Sequence, residues 1–178
     1  MSRECGTPLG RERLFFALWP STEVRAQIMA CASATTGRPV ASSGYHLTLA
    51  FAGLVAGNVR RALEIGAAHL SGAAFVCVLD EIARLGAGDI EALVPSQSPP
   101  ALLGLADRLQ RLVADNGGHI ASRAYRPHVT LARFVAGGGS PARKPPEAVL
   151  WPAREYVLCQ SRTDRPGSYD ILAQWPLS

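Results

Sequence analysis

The sequence predicts a mixed α and β protein forming one domain over residues 1–178, with two related β-α-β halves facing each other across a groove. Two repeats carry that prediction. His46-Leu47-Thr48-Leu49 and His128-Val129-Thr130-Leu131 share a histidine-x-threonine-leucine pattern in a chain with only four histidines. Leu18-Trp19-Pro20-Ser21 is echoed by Leu93-Val94-Pro95-Ser96; each quartet ends a predicted strand and leads through a helix to one of the motif strands.

Taken in order, residues 13–19 are a dense apolar run bounded by Pro20 and Ser21, which reads as a buried strand. Ser21 or Thr22 caps the helix that follows, Val24, Ile28 and Cys31 share its inner face, and Gly37 with Pro39 ends it. Residues 45–51 form the first motif strand. A second helix runs from Asn58, its cap, to about Leu70, with Val59, Leu63, Gly66 and Leu70 inward. Residues 74–85 read as one strand, turning at 86–89 into a hairpin partner at 90–94. Ser98 caps a third helix that opens with Pro99 and Pro100, carries Leu102, Leu105, Leu109, Leu112 and Val113 on one side, and stops at Asn116-Gly117-Gly118. Residues 126–135 are the second motif strand. Residues 136–146, rich in Gly and Pro, are expected to be a flexible loop or lid. Strands at 154–161 and 168–175 close the chain across a turn containing Pro166-Gly167.

With 48% hydrophobic residues the chain can bury a sizeable core without disulfide or metal. Its apolar stretches are broken well before the roughly 18 residues a membrane span needs, and residues 1–13 lack the apolar block of a signal peptide. A cytoplasmic protein with no membrane association, and a monomer, is therefore expected. Cys5, Cys31, Cys77 and Cys159 lie far apart and read as free, mostly buried thiols. Net charge is +4, and Lys144 is the one lysine among eighteen basic residues. Arginine's rigid fork suits phosphate oxygens, so the bias is compatible with a phosphate ligand. It is equally compatible with compositional bias. No continuous basic run marks a DNA-binding module.

A histidine opening a hydrophobic strand is ordinarily just a strand-end residue, and His69 and His119 are read as surface or helix-end positions. The duplication argues otherwise for His46 and His128. Strand alternation puts His46 with Thr48, and His128 with Thr130, on one face, and the intervening aliphatic residues on the other. Two such faces supply a proton donor and a proton acceptor to a shared cleft. The chain has no H-E-x-x-H, nucleophile elbow, P-loop or dinucleotide fingerprint, and Gly137-Gly138-Gly139 lacks the strand-to-helix context of a phosphate loop. No cofactor and no metal is expected.

The chain resembles the two-histidine phosphoesterase superfamily, in particular the RNA 2',3'-cyclic phosphodiesterases also called 2'-5' RNA ligases. The residues that carry the likeness are Arg13-Leu14-Phe15-Phe16-Ala17-Leu18, His46-Leu47-Thr48-Leu49-Ala50-Phe51, Val94-Pro95-Ser96, residues 125–133, and Gly167, Tyr169, Trp175 and Pro176 near the end. The resemblance implies a bilobal α+β fold, two pseudo-symmetric antiparallel sheets flanking a central cleft with helices outside. It also implies metal-free opening of a 2',3'-cyclic phosphate on RNA ends or nucleotides to a 2'-phosphate. His46 and His128 become the acid/base pair, Thr48 and Thr130 donors to the phosphate, Arg133 a further phosphate contact, and Phe15 or Phe16 a stacking surface for base or ribose, the other of the two being core. We assign His128 as base and His46 as acid, an order the motif itself does not impose. Arg133 stands an odd number of residues from His128, so a bulge or twist must turn it into the cleft. Two alternatives use the same pocket: cleavage or formation of 2'-5' linkages, and non-catalytic binding of RNA ends or nucleotides.

Overall fold

The computed structural model describes residues 10–33, 35, 37–86, 89–118, 124–134, 142–162, 164–165 and 167–178. It is an α+β arrangement of three helices and two antiparallel sheets among those residues. In chain order these are β1 (Glu12–Leu18), α1 (Thr22–Ala32), β2 (Arg38–Pro39), β3 (Leu47–Val55), α2 (Gly57–Ala68), β4 (Phe75–Leu79), β5 (Glu81–Leu85), β6 (Ile90–Val94), α3 (Pro100–Asp115), β7 (Val129–Arg133), β8 (Val149–Ala153), β9 (Glu155–Ser161) and β10 (Tyr169–Pro176).

The main sheet runs β10-β9-β1-β3-β7-β6-β5, with β2 beside β7. It has two wings, β10-β9-β1-β3 and β7-β6-β5, and they join through one residue pair, Leu47 with Val129. In each wing the helix-linked strands are antiparallel neighbours, β1 with β3 and β6 with β7, so the repeat seen in the sequence is a repeat of topology. The wings are thus lobes of one sheet, and the separate sheet is the small ribbon β4-β8.

The helices bury the faces their periodicity marked. Val24, Ile28 and Cys31 of α1, Leu63 and Ala67 of α2, and Leu102, Leu105, Leu109 and Val113 of α3 join Leu14, Phe16, Leu18, Leu47 and Leu49 in one core. Val59, Leu70 and Leu112 pack at its margin. Gly66 lets α2 approach α3, since a Cβ there would stand 2.3 Å from Leu112 Cδ1. Ser21 caps α1, its hydroxyl accepting from the Val24 N–H at 3.3 Å.

Several expectations need correction. Asn58 is not a cap: α2 begins one residue earlier, behind Ala56. Ser98 is not a cap either, because Pro99 occupies that place; Pro100 at the first helical position has no N–H to satisfy. The strand expected over 74–85 breaks at Asp80, whose carboxylate accepts from the Ser96 N–H and hydroxyl, both at 2.7 Å. Residues before the break go to the ribbon and those after it to the main sheet. β2 and β8 were not anticipated, because Pro39 and Pro152 argue against strands unless these lie at an edge.

Of the expected loop over 136–146, residues 136–141 lie outside the described residues. The part that follows is held: Arg143 exchanges backbone hydrogen bonds with Ile82, and its guanidinium pairs with Glu91, a carboxylate only 3% exposed. Cys31, Cys77 and Cys159 are free and buried, while Cys5 and His119 lie outside the described residues. His69 ends α2. No helix among the described residues is long and apolar enough to cross a membrane.

The buried Tyr156 hydroxyl donates to the Ala67 carbonyl in the last turn of α2 at 2.9 Å. That carbonyl also accepts from the Leu70 N–H at 3.0 Å, so Tyr156→Phe should remove one of its hydrogen bonds without leaving it unpaired and cost about 1 kcal/mol, read as a lower urea midpoint at unchanged slope.

Candidate active site

Leu47 and Val129, the single bridge between the wings, are wholly buried, and each immediately follows a motif histidine. Pairing them through the backbone therefore sets His46 and His128 at the joint, with Thr48 and Thr130 on the same open face. The four line one pocket of about 210 Å³ together with Val40, Gly44, Ile90, Arg133 and Tyr169.

Both motif strands are bulged, at the same motif position. Along β1 and β3, Phe16 stands opposite Ala50 but Ala17 opposite Thr48, leaving Leu49 over; along β6 and β7, Glu91 stands opposite Ala132 but Ala92 opposite Thr130, leaving Leu131 over. A bulge adds one residue to one strand and reverses the alternation beyond it. Both leucines are 0% exposed, so burying an extra aliphatic side chain favours each bulge. Their carbonyls find partners outside the ladder: Gln110 Nε2 donates to Leu49 O at 3.2 Å, and the Val40 N–H to Leu131 O at 2.8 Å. The second bulge is the one needed to bring Arg133 into the pocket, and Arg133 is there.

The imidazoles are held alike. His46 Nδ1 lies 2.7 Å from Gly44 O, and His128 Nδ1 lies 2.8 Å from Arg126 O, each the carbonyl two residues back. A carbonyl only accepts, so Nδ1 carries the hydrogen and Nε2 is left as the proton-exchanging atom. Their surroundings differ. His46 packs between Phe15 at 4.9 Å, Tyr169 edge-on at 4.9 Å, and Trp19, nearly parallel at 5.8 Å. Burial lowers its pKa from the ordinary 6.5; the Gly44 carbonyl works against that, and the charges of His128 and Arg133 add to it. His128 instead also opens onto a second, more apolar cavity of about 500 Å³, lined by Leu49, Phe51, Leu85, Val113 and Tyr125 among others.

The expectation for the two phenylalanines is corrected. Phe16 is 0% exposed and packs with Tyr156 and Trp175, so it is core. Phe15 does share the cleft face, but at 2% exposure it lies beneath His46 and Tyr169, where it backs the imidazole and offers no open face to a base. Gln110 has no local pattern to mark it, while Trp19 stands in the strand-ending quartet and Tyr125 in the run that carries the family likeness without either being assigned to the site. Tyr125 donates its hydroxyl to Thr48 O at 2.9 Å, and burial pushes its pKa up, which keeps it a donor. Tyr169 had been noted in the closing hairpin without a place in the pocket. Among the described residues no three His, Cys, Asp or Glu side chains gather as metal ligands.

No family model matches the chain. It is 31% identical over 174 residues to the RNA 2',3'-cyclic phosphodiesterase of Escherichia coli (strain K12), covering 94% of this chain and 97% of that protein. Among solved structures, Escherichia coli LigT complexed with 3'-AMP superposes with a TM-score of 0.87 at 30% identity, covering 94% of this chain and 99% of that one. A Thermus thermophilus protein shares the fold, with a TM-score of 0.76 at 24% identity over 93% and 97% of the two chains. With nearly the whole sequence matched end to end, and both His-x-Thr strands converging on one pocket, the chain belongs to the RNA 2',3'-cyclic phosphodiesterase family of two-histidine phosphoesterases.

Proposed function

We propose that this protein hydrolyses 2',3'-cyclic phosphates on RNA ends or nucleotides to 2'-phosphates, with His46 and His128 as the acid/base pair. The observation that carries the reading is the pair of His-x-Thr faces on one phosphate-sized pocket, joined there by Arg133. The identity of the Escherichia coli relative, and the 3'-AMP held by LigT, support a nucleotide phosphate as the ligand. RNA ends as substrate and a cytoplasmic monomer as the working form complete the reading.

In this mechanism the cyclic phosphate lies between the two Nε2 atoms. Water attacks phosphorus and passes its proton to His128, while the P–O3' bond breaks and O3' takes a proton from His46. Each positioned transfer is worth about 100- to 10,000-fold. The Thr48 and Thr130 hydroxyls donate to the non-bridging oxygens, where charge develops, and the Arg133 guanidinium offsets it. Burial favours neutral His46 in the free protein, so the anion's own charge is what loads it as an acid. Tyr125 and Gln110, which hold the Thr48 and Leu49 carbonyls, act as positioning residues.

Incubated with a 2',3'-cyclic-phosphate nucleotide in EDTA, the protein should yield the 2'-phosphate, resolved from the 3'-isomer by phosphorus NMR; a 3'-phosphate product or no turnover would overturn the reading. His46→Ala and His128→Ala should each lower kcat by about 100-fold or more with an unchanged circular dichroism spectrum. By proton NMR, His46 should titrate below 6.5 in the free protein and move upward with inorganic phosphate. Because the unfolded chain binds that proton more readily, the stability this group contributes is full above 6.5 and is lost as pH falls toward the folded value.

A further inference from the structure

The His46 imidazole leans on two supports that lie outside the strands. One is the Trp19 ring, nearly parallel to it at 5.8 Å and placed just past the end of β1. The other is the Gly44 carbonyl at Nδ1, which belongs to a short 3-10 turn over Ser42–Gly44. Phe15 and Tyr169, which complete the enclosure of the ring, are fixed in β1 and β10. From the other wing, His128 and Arg133 are the groups whose charges reach it.

One side chain meets both of the unfixed supports. Arg25, partly buried on α1, holds its guanidinium 6.0 Å from the Trp19 ring centroid and donates through Nη1 to the Ser42 carbonyl. A guanidinium can do both at once, because its flat face packs on a ring while its N–H edge donates in the plane. The turn has need of that donor: the Tyr45 N–H reaches the same Ser42 carbonyl only at 3.3 Å, a long hydrogen bond. The helix bearing Arg25 also lies against β7, the strand of the second motif. Since the wings share a single backbone pair, a tie from α1 to the supports of His46 also ties one motif to the other.

We propose that Arg25 is a positioning residue for His46. It fixes Trp19 and the Ser42–Gly44 turn together, and so keeps the ring with Nδ1 on the Gly44 carbonyl and Nε2 free to exchange protons. Its part in turnover rests on the hydrolase reading. Its hold on the ring does not. In that reading the phosphate is bound by Thr48, Thr130 and Arg133, so loss of Arg25 falls on kcat and spares KM.

The test reads both imidazoles in one sample. In isotopically labelled protein, at a pH where both rings are neutral, nitrogen NMR should find the hydrogen on Nδ1 of His46 and of His128. Arg25→Gln should move His46 toward the Nε2–H form that free imidazole prefers and leave His128, held by the Arg126 carbonyl, as it was. On a nucleoside 2',3'-cyclic monophosphate it should lower kcat about tenfold at unchanged KM, since displacing a reacting group by about 1 Å can cost about 100-fold. Arg25→Lys, which keeps a cation and a donor, should recover part of both effects. Tyr156→Phe, destabilised in the core, should alter neither, which separates positioning from stability. A His46 tautomer unmoved by Arg25→Gln, a change shared equally by His128, or a loss confined to KM would overturn the proposal. If wild type turns over no cyclic phosphate, the hydrolase reading fails by itself, and the tautomer comparison still decides whether Arg25 positions the ring.

Discussion

The pocket depends on two leucines that do not fit their ladders. Leu49 and Leu131 each stand as a surplus residue of a bulged strand, and each buries its side chain completely. A regular strand would have continued the pairing between β3 and β7 past the Leu47 and Val129 bridge, closing the sheet over the place where the pocket opens. Instead the strands part, and the carbonyls stripped of ladder partners are satisfied by Gln110, Tyr125 and Val40. An unpaired buried carbonyl costs on the order of 1–3 kcal/mol, so these substitutes make the opening tolerable. The fourth residue of the repeated motif is thus a shape determinant, distinct from the chemistry of its first and third.

Around that joint the two halves are alike in backbone and unlike in environment. The same carbonyl two residues back orients each imidazole. Aromatic rings then enclose His46, whereas His128 borders the larger apolar cavity. Desolvation lowers the proton affinity of His46, and burying one group of a pair is a common means of separating acid from base in a symmetric site.

Much of this was legible in the residues. Helix faces followed from spacing, as Val24, Ile28 and Cys31 show, and the alternation of His46 with Thr48 placed both on the open side. The odd offset of Arg133 from His128 demanded an irregularity, and Leu131 supplies it. What stayed hidden was non-local. Nothing near Gln110 or Tyr125 signals that they stand in for missing strand partners, because that need arises only when β3 and β7 separate. Asp80 ends one strand and begins another through Ser96, sixteen residues away. Phe15 alternated correctly onto the cleft face but was then covered by His46 and Tyr169, rings that converge from other strands.

Holding both imidazoles in one tautomer has a kinetic corollary. Either ring can give a proton or take one through Nε2, so the scaffold has no ratchet: every barrier it lowers in one direction it lowers equally in reverse. In the proposed reaction, whether phosphorus ends bonded to a hydroxyl from solvent or to one from a second sugar is then a matter of which nucleophile is abundant and which the pocket seats.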